Sequence, residues 1–292
     1  WGAMAAGLPA ATTVVANADA PALAPLAAGR PGSLTFGVDD PAVALPALPH
    51  AADSTRCRAC GQALRYEAVT LGHLGRWACP ACGARRPEPD VRATRVRLDG
   101  VRGVGVRIAT PAGVVEAELP LPGVHNAYNA AAAVAAALAL GVPVASVVRG
   151  LGTAAAAFGR AERVRIDGRE LVLLLAKNPT GANETVRTVL LDPGPLHLLV
   201  ALNDRTADGH DVSWIWDVDY EPLLPRIAAL TLTGDRAHDM ALRFRYAGLD
   251  PARMRVEPDP EAALDAALAG APAGGALYAL PTYTAMLGLR EI

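Results

Sequence analysis

The sequence predicts a two-domain α/β protein whose first domain carries a small metal-binding ribbon. Beyond residue 160, strand-like apolar runs alternate with helix-like runs, which is the pattern of a doubly wound parallel sheet. All four cysteines of the 292-residue chain lie in two CxxC pairs, a spacing that is typical of zinc ribbons. A chain of this length with 52% hydrophobic residues has enough apolar side chains for two buried cores.

Composition excludes several classes of protein. With 27 basic and 29 acidic residues, the formal charge is −2, which does not favour nucleic acid as a partner. The longest uncharged stretch, residues 126–148, is rich in alanine and is interrupted by Gly141 and Pro143. It predicts a packed helix and not a transmembrane segment. No leader pattern precedes it, so we expect a cytoplasmic protein. The chain starts at Trp1, and we expect that an N-terminal part is missing.

The predicted first domain, residues 1–157, combines strands with an insertion and two helices. Short β-branched and apolar runs predict its strands, at 12–16, 33–38, 92–98, 104–109 and 114–119. Residues 55–84 interrupt this pattern with cysteine, arginine and glycine, and we interpret them as an inserted ribbon. A long alanine-rich helix is predicted over 126–140 and a shorter helix over 144–153.

The predicted second domain, residues 158–292, is Rossmann-like. Phe158-Gly159-Arg160 marks the boundary. Apolar runs predict strands at 171–176, 196–202, 228–233, 253–256 and 276–280, and amphipathic runs predict helices at 181–190, 237–247 and 260–268. In such a sheet, ligands bind at the carboxyl ends of the strands.

The cysteines predict a structural metal site. Cys57 and Cys60 form one CxxC pair, Cys79 and Cys82 form the other, and 18 residues separate the pairs. Two CxxC turns can direct four thiolates at one ion, and zinc favours such a closed tetrahedral site. Two disulfides, free thiols and a rubredoxin-like iron site remain alternatives.

Three other segments carry polar residues at positions where ligands bind. His125, Asn126 and Asn129 open the long helix, where asparagine is a favoured cap. Lys177 follows a predicted strand and precedes a helix. The stretch 203–220 (NDRTADGHDVSWIWDVDY) concentrates five aspartates and two tryptophans after an apolar strand. Buried aromatic residues among acidic ones favour a binding or catalytic loop over an acidic surface.

Together these segments resemble the Mur ligase family, and within it the MurT-type subunits of lipid II isoglutaminyl synthases. Besides the four-cysteine ribbon, the motifs are, in chain order, HNxxN at 125–129, FGRxE at 158–162, KNPxGxN at 177–183, NDxxADGxDxSWIWDVDxE at 203–221, GDRAxDMALRxxYAG at 234–248 and LPTYTAML at 280–287. They extend over nearly the whole chain.

One motif of the family is absent from this sequence. Mur ligases carry a GKT phosphate loop, but Lys177 is the only lysine here and it follows Ala176. The resemblance therefore implies a Mur ligase central domain without its N-terminal phosphate-loop segment, followed by a MurT-type C-terminal domain. We expect that the 292 residues alone do not turn over ATP.

The resemblance implies a carbon–nitrogen ligase of peptidoglycan biosynthesis. Such a subunit uses ATP and Mg²⁺ to activate the α-carboxyl group of D-glutamate in the lipid II stem peptide at the membrane surface. Ammonia from a GatD-type glutamine amidotransferase then converts this carboxyl group to D-isoglutamine. The ribbon would hold structural Zn²⁺ through Cys57, Cys60, Cys79 and Cys82.

The resemblance also assigns roles to single residues. His125, Asn126 and Asn129 would contact the adenine side of ATP, and Arg160 its ribose or phosphates. Lys177 would hold phosphate or a substrate carboxylate. One aspartate of the 203–220 stretch would orient the catalytic histidine of the amidotransferase partner, and we favour Asp211, then Asp204 and Asp208.

Two other functions compete with this one. Another Mur-like amide ligase, related to folylpolyglutamate or cyanophycin synthetases, would lack the ribbon and the SWIWD stretch. A non-catalytic zinc-ribbon scaffold for an amidotransferase agrees with the absence of the phosphate loop.

Overall fold

The computed structural model describes residues 2–154 and 160–292, with only the backbone of Arg160. The chain separates into two compact units, Trp1–Ala155 and Ala156–Ile292. Phe158 and Gly159, on which the predicted domain boundary rests, lie outside the described residues, so that boundary stays a prediction. Within the described ranges, no helix is both long and apolar enough to cross a bilayer.

The first unit is built on a five-stranded sheet. Its helices are α1 (Gly2–Ala6), α2 (Val124–Ala139) and α3 (Val144–Gly152), and its strands are β1 (Val15–Asn17), β2 (Leu34–Val38), β3 (Arg65–Leu71), β4 (Leu74–Ala78), β5 (Val91–Leu98), β6 (Val104–Thr110) and β7 (Gly113–Leu119). The order in the sheet is β1-β2-β5-β6-β7. The first three strands are parallel, whereas β5, β6 and β7 form an antiparallel meander.

The core of this unit lies between the sheet and α2. Val96, Val106 and Ile108 point inward and are buried, while Arg95 and Arg107 on the same strands are exposed. This alternation is the period-2 pattern of a sheet with one wet face. Helix α2 contacts strands β1, β2, β5 and β6 through small alanine side chains, which allow its backbone to approach the sheet closely.

The inserted ribbon contains the antiparallel pair β3 and β4, which forms a separate two-stranded sheet. The sequence predicted the insertion but neither of its strands. Charged residues such as Arg65, Glu67 and Arg76 interrupt these strands, although Leu71 and Trp77 are buried. The apolar run that identifies a core strand is therefore weak here.

The second unit is a six-stranded sheet with helices. Its strands are β8 (Arg160–Ile166), β9 (Arg169–Leu174), β10 (Leu196–Ala201), β11 (Ile227–Thr233), β12 (Met254–Val256) and β13 (Ala276–Pro281), and its helices are α4 (Pro179–Leu190), α5 (Ala237–Ala247), α6 (Pro260–Gly270) and α7 (Tyr283–Glu291). The order is β12-β11-β10-β13-β9-β8. All neighbours except β8 and β9 are parallel, which confirms the predicted Rossmann-like sheet.

Strand β8 and helix α7 were not predicted. Strand β8 is an antiparallel edge strand that the turn at Asp167 and Gly168 returns onto β9. Both turn residues have positive φ angles, of 48° and 75°, which matches the geometry of a two-residue β-hairpin turn. The sequence of this strand (RAERVRI) lacks the apolar run from which a strand is predicted. An edge strand can carry charged side chains because one of its faces can lie in water.

The direction of chain progression reverses between β10 and β13. From β10 the chain moves outward to β11 and β12, and it returns through α6 to β13 on the other side of β10. The carboxyl ends at such a reversal are where ligands of doubly wound sheets bind. The segment 202–221 follows β10 and starts at this edge. Thr282, which follows β13, lies at the same edge.

Gly234, which follows β11, should tolerate no side chain. Its φ angle is +92°, and a Cβ atom there would lie 2.6 Å from Asn203 Oδ1 and 2.7 Å from the Leu202 carbonyl oxygen. Gly194 has the same φ angle, but a Cβ atom on it meets nothing within 4 Å. Gly194→Ala should cost about 1–2 kcal/mol for the left-handed backbone alone. Gly234→Ala should cost roughly 1–3 kcal/mol more for the collision.

Urea unfolding of the two variants measures this difference in the free energy of unfolding. Equal destabilisation of Gly234→Ala and Gly194→Ala would contradict the close packing at the carboxyl edge of β10.

Candidate functional site

The four cysteines converge on one point. The Sγ atoms of Cys57 and Cys82 lie 3.6 Å apart, and those of Cys60 and Cys79 lie 3.5 Å apart. All four sulfurs lie within 4.8 Å of one another. Tetrahedral Zn–S bonds of about 2.3 Å place sulfurs about 3.8 Å apart, so the cluster has the size that a zinc ion requires.

Backbone hydrogen bonds shape each CxxC turn in the same way. In the first turn, the Gly61 amide donates to the Cys57 carbonyl (2.8 Å), and the Cys57 amide donates to the Gln62 carbonyl (2.8 Å). In the second turn, Gly83 donates to the Cys79 carbonyl at 3.1 Å. Gly61 and Gly83 have φ angles of +75° and +76°, which glycine adopts without strain. The repeated geometry explains why a glycine follows each pair.

The thiols of the cluster have the properties of metal ligands. All four cysteines are free of disulfide bonds, with Cys57 and Cys79 buried and Cys60 and Cys82 exposed. The backbone N–H of Cys82, together with that of Ala81, lowers the pKa of the Cys79 thiol to about 6. Cys60 and Cys82 also accept backbone hydrogen bonds, which lower their pKa values, but hydrogen bonds with neighbouring thiols outweigh these and raise both. The thiolate is the form that binds metal, and the four-sulfur donor set fits zinc.

The HNxxN motif forms a connected first turn of α2. The helix starts at Val124 after Gly123, so Asn126 lies inside it and is not the cap that we expected. Its Nδ2 atom donates to the Pro122 carbonyl at 2.7 Å and lies 3.1 Å from His125 Nε2. Asn129 Nδ2 donates to Asn126 Oδ1 at 3.1 Å. His125 and Asn129 are exposed, which leaves this polar turn accessible to a ligand.

Lys177 is exposed between β9 and α4. Asn178 caps α4, because its side-chain oxygen accepts a hydrogen bond from the Gly181 amide at 2.8 Å. The Ala176 amide donates to the Pro281 carbonyl at 2.9 Å, which places Lys177 at the carboxyl edge of the sheet as predicted. Arg160 is the first residue of β8, but its side chain lies outside the described structure.

The three candidate aspartates differ in their surroundings. Both carboxylate oxygens of Asp208 accept hydrogen bonds from Thr284 at the start of α7, one of them from its amide at 2.8 Å. Asp204 is paired with Arg236 at 3.3 Å. Asp211 is exposed, and its carboxylate accepts the Ser213 amide at 2.8 Å. Hydrogen bonds from Ser213 lower the pKa of Asp211, so this carboxylate is charged and accessible.

A buried arginine holds the tryptophan-containing part of this loop. Arg243 on α5 donates to the Ile215 carbonyl at 3.2 Å, to the Val218 carbonyl at 2.7 Å and to Glu221 at 2.8 Å. Its guanidinium lies 5.8 Å from the Trp216 ring centroid, within the range of a cation–π contact. Trp216 is 48% exposed and stacks edge-on against Tyr246 at 5.8 Å.

The loop is also fixed from the other side. Asn183, in the KNPxGxN segment, accepts a hydrogen bond on Oδ1 from the Asp219 amide at 2.8 Å. Asn203 Nδ2 donates to Thr284 Oγ1 at 2.9 Å, and the Asp235 amide donates to Asn203 Oδ1 at 3.0 Å. Sequence reasoning missed Arg243 and Asn203 as supports of the site. The sequence marks these two residues only by their positions inside the motifs at 234–248 and 203–221.

A second set of residues that sequence reasoning missed surrounds Asp19 in the first unit. Asp19 is fully buried. It accepts hydrogen bonds from Arg86 Nε at 2.6 Å, from the Tyr128 hydroxyl at 2.6 Å and from the Val38 amide at 3.0 Å. Arg86 Nη1 also lies 3.0 Å from Asp39. A buried charge of this kind requires partners, and each of these groups supplies one.

Burial and pairing act against each other on the pKa values of this cluster. Burial raises the pKa of the Asp19 carboxyl and outweighs the lowering by Arg86 and the other donors. Desolvation disfavours the Arg86 guanidinium, but Asp19 outweighs it and raises the arginine pKa. Burial, followed by the Asp19 charge, raises the pKa of Tyr128 well above its ordinary value. The three donors directed at the Asp19 carboxyl stabilise its ionised form, and Asp19 in turn stabilises the charged form of Arg86.

Comparison with known proteins shows the family. Residues 175–286 match the model of the MurT ligase C-terminal family. The lipid II isoglutaminyl synthase (glutamine-hydrolyzing) subunit MurT of Streptococcus pneumoniae is 36% identical over 238 residues, which is 81% of this chain and 52% of that protein. The Staphylococcus aureus MurT subunit is 29% identical, over 68% of this chain and 44% of that protein. This chain thus spans about half the length of these curated relatives.

A solved structure agrees with the fold. A pseudomurein peptide ligase type C from Methanothermus fervidus superposes with a TM-score of 0.73 over 95% of this chain and 56% of that chain, at 21% identity. From the match to the MurT C-terminal family and the 36% identity to the Streptococcus pneumoniae MurT subunit, the chain belongs to the Mur ligase family. Its second unit is a C-terminal domain of the MurT type, and its first unit carries the four-cysteine ribbon.

The metal site predicts one zinc ion per chain. Cys79→Ser should abolish stoichiometric zinc, because the remaining three thiolates leave the tetrahedral site open, and it should lower the melting temperature. His73→Ala is the matched control: His73 lies in the ribbon and pairs with Asp53 at 2.6 Å but contributes no ligand. Elemental analysis of protein purified under reducing conditions reports the metal. Stoichiometric iron, or two disulfides without metal, would contradict the zinc assignment.

Proposed function

We propose that this chain is part of the ligase subunit of a lipid II isoglutaminyl synthase. In this proposal the subunit amidates the α-carboxyl group of D-glutamate in the lipid II stem peptide, with ATP, Mg²⁺ and ammonia from a glutamine amidotransferase. The observation that supports the proposal most strongly is the structure of the loop 203–221. Its backbone is fixed by Arg243 and Asn183, while Asp211 and Trp216 stay exposed, as a loop that serves a second protein requires.

The chemistry explains why such a ligase needs ATP. A carboxylate is a poor electrophile, because its negative charge repels an incoming nucleophile. Transfer of the γ-phosphoryl group to a carboxylate oxygen turns that oxygen into part of a leaving group. Ammonia then attacks the carbonyl carbon, the C–N bond forms, and the C–O bond to phosphate breaks. Positive charge near the phosphates stabilises the transferring group.

The proposal gives single residues a role in binding the nucleotide or the substrate. His125, Asn126 and Asn129 offer ring nitrogen, amide donors and amide acceptors on one exposed turn, which suits the edge of an adenine base. Lys177 at the carboxyl edge of the second sheet supplies a point charge for phosphate or for a substrate carboxylate. Arg160 would contact the ribose or the phosphates.

Asp211 is the best candidate for the residue that serves the amidotransferase partner. An aspartate that orients a catalytic histidine must be charged and must reach the partner's imidazole. Asp208 is occupied by Thr284 and Asp204 is paired with Arg236, whereas Asp211 is exposed. Trp216 of the same loop is exposed and contacts Tyr246, and Leu242 and Tyr246 on α5 are exposed as well. Aromatic residues are enriched where proteins meet.

The activity itself is tested with the protein from its full reading frame, co-purified with its amidotransferase. Incubation with lipid II, ATP, Mg²⁺ and amide-¹⁵N glutamine should convert one stem-peptide carboxyl group to a ¹⁵N-amide, detected by mass spectrometry. Omission of ATP should abolish the product. ATP-independent stimulation of glutamine hydrolysis without any lipid II product would overturn the ligase and support the scaffold.

Asp211→Asn should remove the partner's glutaminase activity without destabilising the chain. Loss of the orienting carboxylate costs roughly 10⁴-fold in the analogous serine-protease substitution, and we expect at least a 100-fold loss on that basis. Asp265→Asn, which changes an exposed aspartate on α6, is the control. Unchanged glutamine hydrolysis by Asp211→Asn, in a complex that still forms, would exclude Asp211.

A further inference from the structure

The ribbon contacts the centre of the first unit through its strand β4 and through the segment that follows its last cysteine. The Trp77 indole Nε1 donates to the Ala18 carbonyl at 3.1 Å. The Gly75 amide donates to the Asp19 carbonyl at 3.2 Å. Arg86 lies four residues after Cys82 and binds the Asp19 carboxylate at 2.6 Å. The ribbon is therefore not an independent appendage, because its residues satisfy polar groups at the end of β1.

The same carboxylate holds the helix that carries the HNxxN motif. Tyr128 follows Asn126 by two residues and precedes Asn129, and its side chain is buried on the inner face of α2. Its hydroxyl is 2.6 Å from Asp19 Oδ2. Thr70, which lies in strand β3 of the ribbon, also hydrogen-bonds the Tyr128 side chain. The first two turns of α2 thus contact the ribbon through one buried network.

The space around this network is filled. A Cβ atom on Gly37 in β2 would collide with the Asp19 carboxylate and would lie 2.8 Å from Arg86 Nη2. Arg86 Nη1 is fixed by Asp39, which also binds Arg76 of β4 at 3.1 Å. A densely packed group of paired charges has few alternative arrangements. A shift of Arg86 must therefore displace Asp19, and with it Tyr128.

We infer that Arg86, Asp19 and Tyr128 are positioning residues that make the four-cysteine ribbon a support for the nucleotide-binding turn of α2. Metal at the four thiolates fixes the second CxxC turn, from which Arg86 follows directly. Arg86 fixes the Asp19 carboxylate, and Asp19 fixes Tyr128. The exposed His125 and Asn129 are then presented in one orientation. This inference rests on the proposed function only in naming a nucleotide as the ligand of that turn.

Tyr128→Phe is the informative variant, because it removes the hydroxyl and leaves the buried ring. Tyr66→Phe is its matched control: Tyr66 lies in the ribbon and donates its hydroxyl to the Ser54 carbonyl at 3.1 Å, away from Asp19. Hydrogen–deuterium exchange of residues 124–130 is measured in the full-length protein, both zinc-loaded and after removal of zinc by a chelator. The dissociation constant of ADP is measured by calorimetry on the same samples.

Zinc removal should raise amide exchange over 124–130 in the unsubstituted protein and in Tyr66→Phe. In Tyr128→Phe the exchange should be raised already with zinc bound, and zinc removal should add less. Loss of one hydrogen bond of this kind should weaken ADP binding roughly three- to tenfold in Tyr128→Phe, with zinc content unchanged.

Two results would overturn the inference. One is exchange over 124–130 that does not respond to zinc removal in the unsubstituted protein. The other is a Tyr128→Phe variant whose response to zinc removal and ADP affinity equal those of Tyr66→Phe. If the unsubstituted protein does not bind ADP, the proposed function fails, while the exchange measurement still decides whether ribbon and helix are coupled.

Discussion

The buried carboxylate of Asp19 is the constraint on which the first unit depends. A fully buried charge is tolerated only when donors surround it, and here the donors come from three different parts of the chain. Arg86 lies just after the ribbon, Tyr128 lies in α2, and Val38, whose amide donates, is the last residue of β2. Since movement of any one donor removes a hydrogen bond from a buried carboxylate, the three donors together hold the ribbon, the helix and the parallel strands in a single arrangement.

In the second unit, hydrogen bonds from well-packed side chains likewise fix a loop. Residues 203–221 contain many polar groups, and a loop of this kind would be mobile if water alone satisfied them. Arg243 instead donates hydrogen bonds to two backbone carbonyls of the loop. Asn183 accepts a hydrogen bond from the Asp219 amide of the loop, and Asn203, at the start of the loop, pairs with Thr284 and with the Asp235 amide. The structure gives different surroundings to aspartates that the sequence alone does not distinguish. Asp208 stabilises the start of α7, whereas Asp211 is left charged at the surface.

Local patterns in the sequence predicted much of this architecture. The metal site could be predicted because each CxxC pair forms a tight local turn. The strands β10, β11 and β13 could be predicted because their apolar runs are long enough to identify buried strands. The charged edge strand β8 and the ribbon strands β3 and β4 lack that signal. The pairing of Asp19 with Arg86 joins residues 67 positions apart, and no local pattern encodes it. The HNxxN turn was placed correctly, but the helix starts before Asn126 because Gly123 supplies the turn.

The most direct test of this account is a double-mutant cycle on the buried ion pair. The free energy of unfolding is measured by urea titration for the unsubstituted protein, Asp19→Asn, Arg86→Met and the double variant, all with zinc bound. Each single change leaves a buried group without its partner and should cost roughly 3–5 kcal/mol. The account predicts that the double variant loses less than the sum, with a coupling of more than about 1 kcal/mol. Additivity within about 0.5 kcal/mol would contradict it.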